Sequence, residues 1–473
     1  MTPSDSASNA SQTLIGLIHA IPAEQTAVIA PEQNIRITYG GLRQQVQAVA
    51  EALAAAGVNR GDRVGIALPN GVANIVTFLA ASQAGTAAPL NPAYKLDEFR
   101  FYLEDTNAKV LLLPPEGVDE ARAAAGNVPI LTVDMDETGT VSLRGVTGRT
   151  PVTPPDSKDV ALILHTSGST GRPKRVPLSH ANLSISAGNV ARSYALSSSD
   201  VSLCVMPLFH VHGLVASTLA TLATGGTVVV PTKFSPLSFW QIARDHGATW
   251  YSAVPTIHQL LLARVKKDSP RPAGAERLRF IRSCSASLPP AARIPGSVGR
   301  GTDVQISIMD TAGRHLQRGE RGEVVIKGAN VVRGYENNPE ANASSFVDGW
   351  FRTGDQGVLD ENGYLTLTGR LKELINRGGE KISPREIDEV LLTHPKVAEA
   401  VAFGVPHASW GEEVAAAVTL SGEATEAELL AYCKDRLADF KRPKQIHITT
   451  AIPRTATGKI QRRVVAQAFA QTP

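Results

Sequence analysis

The first half of the chain alternates between helical and strand-like hydrophobic patterns. In residues 39–58, apolar side chains recur every three or four positions, as one face of an amphipathic helix requires. That face consists of Leu42, Val46, Val49 and Leu53. Gly57 then ends the helix, and the apolar run RVGIALP at 63–69 predicts a buried strand.

The same alternation continues along the chain. ANIVTFLAASQAG (73–85) and KLDEFRFYLEDTN (95–107) predict two further helices, and AKVLLLPP (108–115) predicts another strand. Alternating helices and strands predict α/β layers with largely parallel sheets. The stretch from Glu116 to Asp159 is rich in Gly, Pro, Asp and Thr, so we expect a surface excursion there.

A different pattern begins near Arg370 and predicts a small α+β domain. Two helices, in 381–395 and 424–437, start with N-terminal capping signals, and two strand-like runs, VAEAVAFGVP and VAAAVTL, lie between them. The capping signals are Ser383, Pro384 and Glu386 in the first helix and Thr425 and Glu428 in the second. The apolar face of the second helix is Leu429, Leu430, Cys433 and Leu437. We therefore predict an N-terminal domain at 1–369 and a C-terminal domain at 370–473.

Composition narrows the class of protein. With 43% hydrophobic and 19% charged residues, the 473-residue chain is typical of globular proteins with several domains. A net charge of +3 gives no electrostatic case for nucleic acid or an anionic membrane as partner. Three separated cysteines without a C-x-x-C pair, no secretory or transit signal and no long apolar span indicate a cytoplasmic location. Nothing in the sequence indicates an oligomeric state or a set of metal ligands.

The stretch LILHTSGSTGRPKRVPLSH (162–180) predicts a binding loop. An apolar strand-like run breaks into hydroxyl side chains and glycines and is followed by Lys174. Glycines allow close approach, hydroxyl and backbone groups donate hydrogen bonds, and the lysine adds positive charge, which suits a polyanion such as a triphosphate. The Walker pattern is absent, and composition alone also fits an ordinary turn.

This loop resembles the phosphate loop of the adenylate-forming enzymes, which include acyl-CoA synthetases, luciferases and peptide-synthetase adenylation domains. Further motifs follow in the order of that family: PLFHVHG (207–213), GWFRTGD (349–355), GRLKELINRGGEKISPREID (369–388) and PRTATGKIQRR (453–463). The resemblance covers nearly the whole chain. It implies a large N-terminal domain of layered α/β subdomains and a small, mobile α+β C-terminal domain.

The resemblance also implies a two-step ligation. A carboxylate attacks the α-phosphorus of ATP to give an acyl-adenylate and pyrophosphate, and the thiol of coenzyme A then displaces AMP. The carboxylate is already an anionic nucleophile, so the site must chiefly compensate phosphate charge with donors, cations and Mg²⁺. ATP, Mg²⁺ and coenzyme A are therefore the implied cofactors.

The family motifs assign roles to individual residues. The implied phosphate-binding residues are Thr166, Ser167, Gly168, Ser169, Thr170 and Lys174. Asp355 is expected to accept hydrogen bonds from the ribose, and the implied catalytic residues are Lys459, Arg370 and His210. Each position also fits a plain structural role, such as a turn, a surface ion pair or a solvated basic tail.

The same resemblance places a hinge at Lys372, about which the C-terminal domain rotates between the half-reactions. Gly378 and Gly379 would then line a narrow path for the pantetheine arm of coenzyme A. A glycine pair fits an ordinary turn equally well.

The expected acid pocket is polar. RFIRSCSASL (279–288) carries Arg282, Ser283 and Ser285 where many relatives are rich in Gly and Ala, and His210 and His212 are expected to close the pocket. A buried guanidinium is costly without an anionic partner, and a small acid with a second carboxylate supplies one. With TWYSAVPTIHQ (249–259), these segments resemble the oxalate–CoA ligase branch, so we expect oxalate as the substrate.

One family motif is missing. Near residues 291–295 the chain passes directly to PGSVGRGTDVQISIMD, without the helix, strand and Tyr-Gly-x-Thr-Glu motif that the family carries there. That motif supplies an adenine-stacking Tyr, a phosphate-binding Thr and a Glu that holds Mg²⁺. The segment is lost from the gene model, genuinely deleted, or replaced by another segment.

Three functions therefore stay open. The first is an acid–CoA ligase. The second is a catalytically impaired relative that acts as a binding or regulatory protein. The third is a stand-alone adenylation enzyme for another short-chain acid, which passes its acyl group to a carrier.

Overall fold

The structure is a computed structural model that describes residues 12–166, 173–265, 270–284, 297–454 and 460–469. The chain divides into two compact units. The first comprises Met1–Gly168, Arg172–Cys284 and Ala329–Pro339, and the second comprises Ser169–Gly171, Ser285–Gly328 and Glu340–Pro473. The predicted domain boundary between residues 369 and 370 falls inside the second unit and stays a prediction.

The first unit is built on two sheets. Its strands are β1 (Thr26–Ala30), β2 (Ile35–Thr38), β3 (Arg63–Ile66), β4 (Thr86–Pro89), β5 (Ala108–Leu113), β6 (Ile130–Met135), β7 (Val141–Arg144), β8 (Val160–His165), β9 (Arg175–Ser179), β10 (Val201–Leu203), β11 (Thr227–Val229), β12 (Trp250–Ala253) and β13 (Phe280–Ser283). One sheet has the order β7-β6-β5-β3-β4-β8-β9 and the other β13-β12-β10-β11-β1-β2. Their inner pairs are parallel, whereas β1–β2, β6–β7 and β8–β9 are antiparallel. The predicted α/β class with largely parallel sheets is confirmed.

The helices of the first unit cover these sheets. They are α1 (Gly16–His19), α2 (Tyr39–Ala55), α3 (Val72–Ala84), α4 (Leu96–Thr106), α5 (Asp119–Ala124), α6 (His180–Ser193), a π-helical segment (His212–Leu219), α7 (Ala220–Leu222), α8 (Phe239–Asp245), α9 (Pro255–Leu262) and a 3₁₀ turn (Ala275–Arg277). The predicted face of α2, from Leu42 to Leu53, is fully buried. Among the described residues, no helix is long and apolar enough to cross a membrane.

Helix α3 is the centre of the largest core cluster. Except for Ala73, all of its residues are buried, because the helix is apolar on every side and packs against α2, β4 and β8. Ser82 Oγ donates to the carbonyl oxygen of Ala161 at 3.0 Å, whereas the side-chain oxygens of Asn74 and Gln83 are buried without a hydrogen-bond partner among the described residues. A helix this apolar is stable only when it is enclosed, which fixes it as an interior element.

The expected surface excursion at 116–159 is wrong in part. The segment contributes α5 and the strands β6 and β7 to the seven-stranded sheet, and Val133, Val141 and Leu143 are buried there. The strands are short and separated by turn residues, so the Gly, Pro and Asp content concealed their alternating pattern.

The second unit contains two further sheets. Its strands are β14 (Gln305–Met309), β15 (Arg321–Lys327), β16 (Phe346–Val347), β17 (Trp350–Leu359), β18 (Leu365–Arg370), β19 (Ile375–Arg377), β20 (Glu380–Ile382), β21 (Val397–His407), β22 (Gly411–Leu420) and β23 (Gln445–Ile448). One sheet runs β14-β15-β17-β16 with β18 beside β17, and the other runs β20-β19-β22-β21 with β23 beside β22. Its helices are α10 (Pro339–Ser345), α11 (Pro384–Leu392), α12 (Glu426–Lys434) and α13 (Arg462–Phe469), with 3₁₀ turns at Leu371–Glu373 and Asp439–Lys441.

The predicted capping box of α11 is wrong, although the helix begins where predicted. Ser383 is the N-cap and Pro384 the first helical residue, but the Ser383 hydroxyl donates to the carbonyl oxygen of Thr368 at 2.6 Å. Glu386 instead forms an ion pair with Lys441 at 2.7 Å. A tertiary acceptor has replaced the local cap. In α12, by contrast, Thr425 Oγ1 accepts from the backbone N–H of Glu428 as predicted, although the Glu428 carboxylate pairs with Lys396 at 3.0 Å and does not complete a capping box.

His180 anchors the start of α6 as a neutral imidazole. Its Nε2 lies 3.0 Å from the carbonyl oxygen of Ser82, which can only accept, so Nε2 carries the proton. Its Nδ1 accepts from the backbone N–H of Leu14 at 3.2 Å. Burial lowers the pKa of His180 from 6.5 to about 4. A second proton would therefore break the contact with Leu14.

We expect His180 to make the protein less stable in acid. Because the pKa is lower in the folded state, the unfolded chain binds the extra proton, and stability falls as the pH drops from 6.5 towards 4, by about 3 kcal/mol in total. In the His180→Gln variant, an amide oxygen and an amide N–H can replace both hydrogen bonds without titrating. Urea unfolding of both proteins at pH 7.5, 5.5 and 4.5 should show a smaller acid loss in the variant. Equal losses in both proteins would contradict this assignment.

Candidate active site

Strands β8 and β9 hold the base of the predicted phosphate loop. The backbone N–H of Thr166 donates to the carbonyl oxygen of Lys174 at 2.9 Å, and the N–H of Lys174 donates to Thr166 Oγ1 at 3.1 Å. The Lys174 ammonium lies 4.7 Å from the ring centroid of Tyr335. The structure thus brings Thr166 and Lys174 together. Ser167, Gly168, Ser169 and Thr170 lie outside the described residues.

A network of charged side chains anchors β9. The Arg175 guanidinium contacts the carboxylates of Asp105 at 3.5 Å and Glu336 at 3.3 Å, and Glu336 also pairs with Arg63. His165 Nε2 lies 3.0 Å from Asp105, and burial lowers the pKa of His165 despite this carboxylate. These contacts tie the end of β8 and the start of β9 to neighbouring elements, so the loop between them starts from fixed ends.

A polar cluster of Ser252, Arg282, His212 and Cys284 lies at the carboxyl ends of β12 and β13. Ser252 and Arg282 are in register on these parallel strands, so their side chains lie on the same face of the sheet. Arg282 Nη1 donates to Ser252 Oγ at 3.0 Å and lies 3.0 Å from Cys284 Sγ. His212, the first residue of the π-helical segment, is buried with its Nε2 2.7 Å from Ser252 Oγ.

The buried Ser252 hydroxyl links Arg282 to His212. Ser252 Oγ accepts from Arg282, because a guanidinium has no acceptor. His212 Nε2 lies 2.7 Å from the same hydroxyl, so a hydrogen bond also joins Ser252 to His212. The three side chains form a chain of hydrogen bonds that holds Arg282 in place.

Arg282 keeps unused hydrogen-bond donors. Among the described residues, no carboxylate lies within ion-pair distance, and Nε and Nη2 make no hydrogen bond. The following segment 285–296 contains no Asp or Glu. The aromatic ring of Tyr194 lies 6.0 Å from the guanidinium, and the Oγ atom of neighbouring Ser283 is buried without a hydrogen-bond partner. Ser285 lies outside the described residues.

His210 has a local structural contact. Its Nδ1 accepts from the backbone N–H of His212 at 3.3 Å, and its backbone carbonyl accepts from Leu214 at 3.0 Å. The imidazole therefore supports the start of the π-helical segment. Its predicted catalytic role stays a prediction.

Asp355 and Arg370 pair on neighbouring strands of the second unit. They are in register on β17 and β18, and Arg370 Nε lies 2.8 Å from Asp355 Oδ1. Burial raises the pKa of Asp355 above its ordinary value of 3.8, and Arg370 opposes that rise. The predicted pair is thus formed, and Asp355 Oδ2 is an acceptor of the kind that a ribose diol requires.

Gly378 and Gly379 form the turn between β19 and β20, both with positive φ, at 59° and 98°. The N–H of Gly378 donates to the carbonyl oxygen of Trp410, and a Cβ atom at Gly378 would lie 2.6 Å from the Trp410 ring. Glycine is therefore required at position 378, because any side chain there would collide with the Trp410 ring. Lys372 is exposed in the 3₁₀ turn between β18 and β19, and its hinge role stays a prediction.

Sequence reasoning missed Ser252 and Cys284. Cys284 lies inside the quoted segment 279–288, next to Arg282, whereas Ser252 is 30 residues away from Arg282 and enters the cluster through strand register. Lys459 and the join near 291–295 lie outside the described residues. Within the described ranges, no group of three or more His, Cys, Asp or Glu side chains could hold a metal ion.

Comparisons with known proteins match both parts of the chain. Residues 19–294 match the AMP-binding enzyme model and 386–459 match the AMP-binding enzyme C-terminal domain model. The oxalate–CoA ligase of Arabidopsis thaliana is 42% identical, covering 98% of this chain and 100% of that protein. The sulfoacetate–CoA ligase of Cupriavidus necator is 34% identical, with coverages of 92% and 93%.

A comparison with solved structures also finds a match over nearly the whole chain. The crystal structure of ATP-bound MatB from Rhodopseudomonas palustris has a TM-score of 0.89 and 30% identity, and the match covers 98% of this chain and 99% of MatB.

These relatives also differ from the chain in length. The Arabidopsis alignment extends over 514 positions, more than the 473 residues present, so that relative contains residues with no counterpart here. The family and C-terminal domain matches, together with near-complete coverage by curated ligases, establish that the chain belongs to the AMP-binding enzyme family and, within it, to the acid–CoA ligases.

Proposed function

We propose that this acid–CoA ligase activates oxalate. In the proposed reaction, one oxalate carboxylate attacks the α-phosphorus of ATP, and the bond to the departing pyrophosphate breaks. The thiol of coenzyme A then attacks the acyl carbon of oxalyl-adenylate, and AMP leaves. ATP, coenzyme A and Mg²⁺ carried with the nucleotide are the proposed cofactors, and the cytoplasm is the proposed location.

The unused donors of Arg282 carry the proposal. Holding a guanidinium in a partly buried site without a carboxylate costs stability, and a bound anion removes that cost. Nε and Nη2 form one edge of the guanidinium, and a planar carboxylate can accept from both. Oxalate offers such a carboxylate one bond away from the carboxylate that reacts.

Two relatives support an acid with two anionic groups. One is named for oxalate, and the other for sulfoacetate, which carries a sulfonate and a carboxylate. A cation that binds the non-reacting anion suits both acids. The choice of oxalate rests on the higher identity to the oxalate ligase and on the polar cluster around Arg282.

The remaining roles follow the chain's own residues. Asp355 is proposed to accept from the ribose hydroxyls while Arg370 orients its carboxylate at 2.8 Å. Thr166 and Lys174 are proposed to hold phosphates with the intervening loop, and Lys459 is proposed to bridge the α-phosphate and the acid. Ser252 and His212 position Arg282 and need not touch the reacting atoms.

Replacing Arg282 tests the choice of acid. We expect Arg282→Ala to lower kcat/KM for oxalate by about 100-fold or more, because a desolvated charge pair contributes about 3 kcal/mol. Activity with glycolate, which lacks the second carboxylate, should change much less. Arg277→Ala, which removes an exposed guanidinium from the same region, is the matched control. Oxalate-dependent AMP formation measures the effect, and unchanged oxalate kinetics in Arg282→Ala would refute the assignment.

Replacing Asp355 tests the nucleotide site. Asp355→Asn should weaken AMP binding by about 10- to 100-fold, since it removes a charge-assisted acceptor. Burial raises the pKa of Asp355, so the charged carboxylate costs stability at neutral pH, and Asn should not lower the melting temperature at pH 7.5. Exposed Glu361→Gln in the same unit is the control, with AMP titration by calorimetry as the readout. Wild-type AMP affinity in Asp355→Asn would contradict the role.

A second candidate is a binding or regulatory protein without turnover. The residues that the Arabidopsis ligase has and this chain lacks favour it, since loss of the Tyr-Gly-x-Thr-Glu segment would remove phosphate-binding and metal-binding groups. Pyrophosphate release with oxalate, ATP, Mg²⁺ and coenzyme A separates the candidates. The ligase predicts release that depends on oxalate. Tight AMP or oxalate binding with no release, restored by inserting the relative's segment, would favour the second candidate.

A further inference from the structure

Strand β17 contains a β-bulge that ends at Asp355. Glu323 and Val325 of β15 each pair with a residue of β17, and one residue lies between them on β15. The matching stretch of β17 has three residues, 353–355, so two residues of β17 have no counterpart on β15. A bulge bends its strand and changes the direction of the side chains beside it. The direction of the Asp355 carboxylate therefore depends on the conformation of this bulge.

The Glu323 carboxylate binds the bulge from the neighbouring strand. Its Oε1 accepts from the backbone N–H of Gly354 at 3.0 Å, and its Oε2 accepts from Arg352 Nε at 2.7 Å. Gly354 has a φ of 73°, which glycine adopts without strain. Glu323 is only 7% exposed, so water does not compete strongly for these hydrogen bonds. One buried carboxylate thus joins two positions of β17 on either side of Thr353.

Thr353 forms a second tie within the same bulge. Its Oγ1 donates to the carbonyl oxygen of Val324 at 2.7 Å and accepts from the backbone N–H of Asp355 at 3.1 Å. The Asp355 carboxylate in turn pairs with Arg370 Nε at 2.8 Å. Asp355 is therefore held through its backbone by Thr353 and through its side chain by Arg370.

We propose that Glu323 is a positioning residue for the nucleotide site, because it holds the bulge at 353–355 in the conformation that directs the Asp355 carboxylate. The proposal rests on the proposed function, in which Asp355 accepts from the ribose hydroxyls. Glu323 acts through Asp355 and does not contact the nucleotide, since its buried carboxylate is occupied by Gly354 and Arg352.

The charge of Glu323 does not account for a contribution to nucleotide binding. Burial is the largest cause that raises the pKa of Asp355, and the Glu323 carboxylate adds a smaller rise. Removing that negative charge would by itself favour ionised Asp355, which is the better acceptor for a ribose diol. A loss of affinity on removing the charge must therefore come from altered geometry.

Hydrogen exchange tests whether Glu323 holds the bulge. Glutamine has one acceptor oxygen, so in Glu323→Gln it can serve Arg352 or Gly354 but not both. We expect the peptide that contains the N–H groups of Gly354 and Asp355 to exchange these protons at least about 10-fold faster in the variant, measured by mass spectrometry at pH 7.5. Exposed Glu361→Gln is the control and should leave the rates unchanged. Unchanged exchange in Glu323→Gln would overturn the proposal.

AMP titration by calorimetry tests the consequence. Glu323→Gln should weaken AMP binding by about 10-fold, and the same change should weaken it by less than about 2-fold further in the Asp355→Asn variant, because both substitutions act through one carboxylate. Additive losses would contradict a role through Asp355. Wild-type affinity in Asp355→Asn alone would count against the proposed function instead, and the exchange rates would still decide whether Glu323 holds the bulge.

Thr353 offers a second test that leaves the buried carboxylate intact. Thr353→Val keeps the shape of the side chain but removes its hydroxyl, and we expect it to weaken AMP binding by about 3- to 10-fold. Thr353→Ser retains a hydroxyl for both hydrogen bonds and should restore the affinity. This pair remains informative if Glu323→Gln does not fold. Equal AMP affinity in Thr353→Val and the wild type would overturn the role of the bulge.

Discussion

The choice of oxalate depends on how Arg282 uses its hydrogen-bond donors. Some donors are occupied by the protein, and the others have no partner among the described residues. One guanidinium nitrogen is held by Ser252 and contacts Cys284, while the other edge faces no carboxylate among the described residues. Guanidinium groups are charged at every physiological pH, so this site cannot reduce its cost by losing a proton. We propose that the acid substrate compensates this charge, because a planar carboxylate matches the two donors of the free edge.

The architecture explains why this cation is held in place. Parallel strands β12 and β13 end at the same edge of their sheet, which brings Ser252 and Arg282 into register. The π-helical segment then places His212 Nε2 2.7 Å from the Ser252 hydroxyl. The Arg282 guanidinium is thus held in one orientation by the parallel sheet, the buried Ser252 hydroxyl and the start of the π-helical segment. The proposed selective binding of a very small acid requires a cation that is fixed in this way.

Much of the fold could be predicted from the sequence because its signals are local. The spacing of Leu42 and its partners in α2, and the Thr425 cap of α12, depend on neighbouring residues and are present as predicted. The cap of α11 differs because Ser383 finds a tertiary acceptor in Thr368, which no local pattern encodes. Strands β6 and β7 were concealed by the turn residues that separate them.

The residues of the candidate site also divide into those that the sequence motifs predict and those that only the fold brings together. Asp355 and Arg370 were predictable as a pair through motif order, and β17–β18 register joins them. Ser252 could not be predicted, because it reaches Arg282 across 30 residues of chain and through strand pairing alone. Cys284 lies in the segment 279–288 beside Arg282, but its contact with His212, which comes from a different element, could not be predicted.

A crystal structure of the protein with oxalate and ATP tests most directly whether Arg282 binds the acid. We expect one oxalate carboxylate with both oxygens within about 3 Å of Arg282 Nε and Nη2, and the other carboxylate directed at the α-phosphate. Oxalate bound away from Arg282, or a protein carboxylate occupying that edge of the guanidinium in the complex, would contradict it.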